Sequence, residues 1–155
     1  MILGAGGAAR SAAYALATRG LTVLVVNRTL ERARSLAADF GPRVSGHGYD
    51  ALPRLLAEAD LLVNCTSLGM VGKPPLEVDL APLKRSAVVY DVVYVPLETD
   101  LLAAARAHGH RAVDGLGMLL QQAGFGFRKW FGAAPQVTPE LRALVEADIR
   151  AKTGK

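Results

Sequence analysis

The sequence predicts an α/β fold, doubly wound, with a mainly parallel six-stranded sheet, helices on both faces and two helices at the C-terminus. Three observations predict it. Short apolar, β-branched runs alternate with segments of helical spacing, which is the pattern of a parallel sheet covered on both sides. The first run, Met1-Ile2-Leu3, passes directly into Gly4-Ala5-Gly6-Gly7-Ala8-Ala9-Arg10 and a small-residue helix start. After Gly115 the strand pattern stops and only helical spacing remains.

The elements follow in order. Strands are expected at 2–3, 22–27, 44–48, 61–65, 87–93 and 111–113, and helices at 7–19, 30–40, 52–58 and 99–108, with right-handed crossovers. A long helix at 116–131 and a loop bearing Pro135 come next. The last helix starts at Thr138, with Pro139 in the first turn, where a missing N–H is tolerated. The first strand is short: three residues precede the glycine turn, against a usual length of about five or six. A doubly wound sheet has this strand at its centre, so the expectation is a piece of a longer protein or a truncated copy.

The 155 residues suffice for one domain with a sizeable core, read as 1–155. At 51% hydrophobic and 21% charged, the chain is globular rather than disordered. No apolar stretch approaches the roughly 20 residues of a membrane helix. The opening is a glycine turn and not a basic region with an apolar core, so no signal peptide is expected. Cys65 is alone, which excludes an internal disulfide and predicts a reducing, cytoplasmic compartment. No Cys/His cluster has metal spacing, and His47, His108 and His110 read as loop residues rather than ligands. The net charge of +4 does not predict nucleic-acid binding. Arg10, Arg28 and Arg32 are assigned to phosphate, and the other basic residues are scattered, with no aromatic-laced stripe.

A strand, a glycine turn and a helix start, in that order, build a dinucleotide cradle, giving the sheet a Rossmann-like character. Gly4 permits the tight turn, Gly6 lets backbone amides approach a pyrophosphate, and Ala9 packs helix against strand. The helix N-terminus adds free N–H groups and partial positive charge. The second strand ends at Asn27, where an NAD site places a carboxylate on the ribose 2′-hydroxyl. Here Asn27-Arg28-Thr29 stands instead, with Arg32 one turn on. Two guanidiniums suit a 2′-phosphate, so NADP is the expected cofactor.

The later strands also end in polar residues: Asn64 and Thr66-Ser67-Leu68-Gly69-Met70, then Asp91 and Tyr94. In open α/β sheets, ligands bind outside these carboxyl ends. Asn64, Thr66 and Tyr94 read equally as strand-end caps. Asp91 reads as a structural acceptor and Lys73 as a residue of an exposed loop. No catalytic acid–base pair is identified. Leu116, Leu119, Leu120, Ala123, Phe127, Trp130 and Phe131 share helical spacing. They predict an apolar face that the sheet does not fully cover, with a homodimer or looser association as the outcome.

In combination, GAGGAAR, NRTxxR, DxxxNxTxxGM, YDxxYxPxxT and DGLGMLLQQA resemble the NADP-binding half of the shikimate dehydrogenase family, over essentially the whole chain. The resemblance implies reduction of 3-dehydroshikimate to shikimate with NADPH, in the aromatic amino-acid (chorismate) pathway. It implies that Gly4, Ala5, Gly6, Gly7 and Ala8 bind pyrophosphate, and that Asn27, Arg28, Thr29 and Arg32 surround the 2′-phosphate. Thr66, Ser67 and Met70 would lie along the cofactor. Val92, Gly115 and Met118 would flank the nicotinamide, Val92 standing where some members carry Met. Tyr94 and Gln122 would reach the substrate. The family's N-terminal substrate domain, which supplies a Lys–Asp acid–base pair, has no counterpart in these residues. Two other readings are a free-standing NADP-binding module and a half of a related enzyme acting on quinate, methylene-tetrahydrofolate or glutamyl-tRNA. The DGLGMLLQQA run argues against the last two substrates.

Overall fold

The computed structural model describes residues 1–133 and 135–153. Its sheet has six strands: β1 (Ile2–Leu3), β2 (Val23–Val26), β3 (Val44–His47), β4 (Leu61–Asn64), β5 (Val88–Asp91) and β6 (Arg111–Val113). The order is β3-β2-β1-β4-β5-β6, and every pairing is parallel rather than mainly so. The chain reverses direction across the sheet between β1 and β4, which is the crevice position of a doubly wound fold.

The helices are α1 (Gly7–Ala17), α2 (Leu30–Ala38), α3 (Leu52–Glu58), α4 (Asp100–Ala107), α5 (Leu116–Phe131) and α6 (Pro139–Thr153), with a 3-10 turn at Tyr49–Ala51. Side chains alternate across each strand. Ile2, Val23 and Val25 face Ala9 and Ala13 of α1 and Ala33 and Leu36 of α2. Leu3, Val26, Leu62 and Val89 face Leu55 and Leu56 of α3 and Leu101 and Leu102 of α4. Small alanines on α1 let it lie close to the sheet. On the opposite face, leucines fill the larger gap.

As the expected element list has it, β4 and β5 are joined by a segment with no helix, the one break in the strand–helix alternation of the sheet. Leu76, Leu80 and Leu83 of that segment are buried against the α3–α4 face and fill the place a helix would take. Ile2–Leu3, Leu52–Glu58, Arg111–Val113 and Leu116–Phe131 have the bounds expected, while several other elements are shorter at their ends. Thr22, Asn27, Gly48 and Cys65 lie just outside the strands, although the Asn27 and Cys65 amides still donate to His47 O and Leu3 O.

His47 belongs to β3, where its ring nitrogen Nε2 lies 2.8 Å from Ser45 Oγ. His110 is buried, and its Nδ1 has no partner. His47 is therefore a strand residue and not the loop residue expected, whereas His110 lies in the link between α4 and β6 as expected. Among the described residues, no group of His, Cys, Asp and Glu could hold a metal, and no helix is long and apolar enough to cross a membrane.

The last two helices form a separate small core. Leu116 and Leu120 of α5 and Ile149 of α6 enclose Tyr94 and Leu97. Thr138 caps α6, its hydroxyl accepting from the Leu141 amide at 3.2 Å. Of the apolar face that the spacing predicts on α5, Leu116 and Leu120 are buried while Phe127, Trp130 and Phe131 are exposed, together with Phe125, which that face did not include, and Leu144 of α6.

Candidate functional site

The register sets the site. Leu3 pairs with Val26 on one side and Asn64 on the other, and Asn64 pairs with Asp91. The carboxyl ends of β2, β1, β4 and β5 therefore lie level. Val26 also pairs with His47, which brings the end of β3 into the row. Residues just past these ends emerge along one edge of the sheet.

At the centre, Gly4 has φ +101°, a conformation open to glycine and strained for other residues. A Cβ there would stand 3.1 Å from both Cys65 O and Thr66 Cγ2. The Gly4 amide donates to Val26 O at 2.8 Å, and the Cys65 amide donates to Leu3 O at 2.9 Å, so the turn is fastened to both neighbouring strands. The next glycines differ. A Cβ on Gly6 or Gly7 would project into open space, meeting nothing within 4 Å. Gly6 caps α1 without a side-chain hydrogen bond, and the first turn holds no acidic residue. These amides are free for an anion, which is what a dinucleotide pyrophosphate requires.

Beside the turn, a cleft of about 590 Å³ opens at the ends of β2, β3 and β4. Asn27, Arg28, Thr29, Arg32 and Thr66 line it, five of the residues expected from sequence. Arg28 and Arg32 are exposed and make no ion pair among the described residues. Asn27 Nδ2 donates to Thr29 O at 2.9 Å and holds the start of α2.

The cleft also contains residues the sequence reading did not select: Tyr49, Leu68 and the stretch from Pro74 to Glu77. Tyr49 follows β3, so the rule that ligands sit past strand ends could have found it. Burial pushes the Tyr49 phenol up from its ordinary value, against the opposing pull of Arg28. The 74–77 stretch carried no usable signal, because long-range packing of Leu76 places it.

A smaller hollow of about 290 Å³ lies on the other side of Arg32, lined by Ala5, Arg10, Glu31, Ser35 and Leu36. Arg10, expected at phosphate, pairs with Asp39 at 2.6 Å and lies over the Phe40 ring.

At the β4–β5 end the polar residues are locked together. Asp91 is fully buried. Its Oδ1 accepts from Asn64 Nδ2 at 2.9 Å and from the Val93 amide at 3.0 Å, and its Oδ2 accepts from the Thr99 hydroxyl at 2.7 Å. Burial pushes the Asp91 carboxyl up, opposed by those three donors. Asn64 Oδ1 accepts from the Thr66 hydroxyl at 2.7 Å, and Thr66 Oγ1 accepts from the Leu68 amide at 3.1 Å. Asp91 is thus the structural acceptor expected, held by Asn64 and Thr99 rather than by its neighbour Tyr94. Cys65 is buried beside this network, and burial pushes its thiol up to about 12.

The remaining expected residues lie outside the lining of the cleft. Gly115 packs on the Val92 backbone so tightly that a Cβ would lie 2.2 Å from Val92 O. Val92 and Met118 are half-buried beside it. Ala5 is half-buried, while Ala8, Ser67 and Met70 are exposed, Met70 bonding back to Ser67 O through its amide at 3.3 Å. Tyr94 is half-buried against α5, and Gln122 is exposed on that helix. None of these last residues lines the 590 Å³ cleft. Asp114 of the DGLG run has a structural role: it accepts from the Leu116 amide at 3.0 Å and from Arg142 at 2.7 Å, tying α5 to α6.

The profile of the shikimate / quinate 5-dehydrogenase family matches residues 1–92. The chain belongs to this family. A shikimate dehydrogenase (NADP(+)) of Rhodopseudomonas palustris is 57% identical over 153 residues, covering 98% of this chain and 55% of the relative. One from Mesorhizobium japonicum is 59% identical, with 96% and 54% covered. Among solved structures, a shikimate dehydrogenase in complex with NADP+ superposes with TM-score 0.82 at 34% identity, covering 99% of this chain and 54% of that one. A quinate dehydrogenase of Corynebacterium glutamicum in complex with NAD gives 0.79 at 33% identity, with 97% and 52% covered. The chain spans about half the length of the relatives it matches.

Proposed function

We propose that this chain is the NADP-binding half of a shikimate dehydrogenase, which reduces 3-dehydroshikimate to shikimate in aromatic amino-acid biosynthesis. The observation that carries the reading is the cleft at the end of β2. There two exposed guanidiniums, Arg28 and Arg32, with no ion pair among the described residues, stand where an NAD site would place a carboxylate. Arg grips phosphate bidentately, so this end suits the 2′-phosphate, with Asn27 and Thr29 completing the contact. The open Gly6–Gly7 edge and the free amides of α1 suit the pyrophosphate, bordered by Gly4, Ala5 and Ala8. Thr66, Ser67 and Met70 follow the cofactor along the edge of the sheet. Val92, Gly115 and Met118 flank the nicotinamide, and Tyr94 and Gln122 reach the substrate.

Bound NADPH supplies the hydride. The proton requires a separate acid, and none of the described residues on this edge offers one. Asp91 is fully engaged by three donors, and Lys73 is exposed on the 72–75 loop, outside the cleft lining. The acid–base pair and the rest of the substrate pocket belong to a substrate domain that acts together with this half. Its contact face is the aromatic side of α5, which alone would drive a homodimer or looser association. The buried lone thiol suits a reducing, cytoplasmic setting.

Calorimetric titration tests the reading. The chain binds NADPH in preference to NADH, and Arg28→Ala weakens NADPH by roughly 1.5–3 kcal/mol while NADH barely responds. Equal losses for the two dinucleotides would remove the 2′-phosphate assignment.

A further inference from the structure

One wall of the 590 Å³ cleft carries a charge of the wrong sign for a polyphosphate ligand: Glu77, an exposed carboxylate with no ion pair among the described residues. The other charged lining residues are Arg28 and Arg32. The cleft is therefore polarised, cationic at the β2 end and anionic at the β4–β5 segment. The wall around Glu77 is apolar, made by Pro74, Pro75 and Leu76. Such a surface suits the face of a planar base.

An ionised carboxylate only accepts hydrogen bonds. It repels phosphate and rewards a ligand group with protons to give. At the adenosine end of NADP, the base carries one such group, the exocyclic amine at C6, while the 2′-phosphate is drawn to Arg28 and Arg32. We propose that Glu77 is a specificity-determining residue that accepts from the C6 amine and so selects adenine as the base. The proposal rests on the NADP reading above.

Hypoxanthine provides the test, because it replaces the C6 amine by an oxo group that only accepts, its one added donor being the ring N1–H. Titrations with NADP+ and with its deamino (hypoxanthine) analogue, at one salt concentration, give a ratio of dissociation constants. Both ligands carry the same phosphates, so general repulsion by Glu77 cancels in that ratio. The chain binds NADP+ about tenfold or more tightly than the analogue, as expected for a hydrogen bond to a charged acceptor. In Glu77→Gln the side-chain amide can donate to the oxo group, and the ratio falls to near one. Glu77 is exposed, so the substitution leaves the fold intact, which a thermal melt verifies. Equal binding of the two dinucleotides by the unmodified chain overturns the assignment, as does a ratio unchanged in Glu77→Gln. Failure of both dinucleotides to bind overturns the NADP reading instead.

Discussion

Both ends of the sheet edge present polar residues just past apolar strands, and they are built for opposite purposes. At β2, Arg28 and Arg32 are exposed, have no ion pair among the described residues and face a cleft. At β4 and β5, Asn64, Asp91 and Thr99 are buried and bonded to one another. The first arrangement keeps charge in water until a ligand replaces that water. The second satisfies charge within the protein and fixes where the neighbouring loops begin. Thr66 joins the two, since its hydroxyl is held by Asn64 while the residue lines the cleft. A polar residue at a strand end is thus not informative by itself. Its partners decide whether it binds or braces.

The largest expected effect tests whether either end carries the chemistry. The chain alone should not oxidise shikimate at a useful rate, because positioning can be worth about 7–11 kcal/mol of barrier and general acid–base help a further 10²–10⁴-fold, roughly. NADPH formation from shikimate, with and without a separately expressed substrate domain, measures this. Turnover by the chain alone would mean that the bracing end is catalytic after all.

Next comes the brace. Asp91→Ala strands three buried donors and should cost roughly 3–5 kcal/mol in urea unfolding. Arg28→Ala, at the binding end, should stay within about 0.5 kcal/mol of the parent. Similar losses at the two ends would erase the distinction.

The exposed aromatics of α5 should bind a hydrophobic dye, and the chain should associate as its concentration rises in sedimentation. Trp130→Lys should reduce both. A monodisperse monomer that binds no dye would leave the face without a role.

The smallest effect is in pH. The folded-state pKa of Asp91 is raised above its ordinary 3.8, chiefly by burial, so its carboxyl holds a proton more readily folded than unfolded. Its contribution is therefore most favourable below 3.8 and is lost as pH rises through the folded-state value. Relative to Asp91→Asn, which does not titrate, the parent chain should lose stability as pH rises out of that window. The opposite slope would mean that the three donors outweigh burial.

What could be read from the residues was local. The glycine turn, the Asn27–Arg32 run and the helix–strand order depend on neighbours in sequence, and they form where expected. Strand ends were overestimated because Thr22 and Cys65 look like strand residues while the ladder that would include them stops one residue short. Contacts between distant segments were invisible. Arg142 meets Asp114 across 28 positions, and Arg10 meets Asp39 across 29. Glu77 reaches the cleft because Leu76 beside it is buried under a different part of the chain.

The helix-free link between β4 and β5 also governs which parts of this half can change independently. Leu76 and Leu80 are sunk in the core like two pegs, half-buried Val78 packs against it between them, and Glu77 and Asp79 are exposed. A helix in that place would couple every surface position to a rigid axis. Here the exposed position Glu77 can change without disturbing the sheet, the phosphate turn or the Asn64–Asp91 brace. Preference for one base over another can therefore drift, or be engineered, separately from preference for the 2′-phosphate, because the two are carried by pieces of chain that share a cavity but not a backbone support.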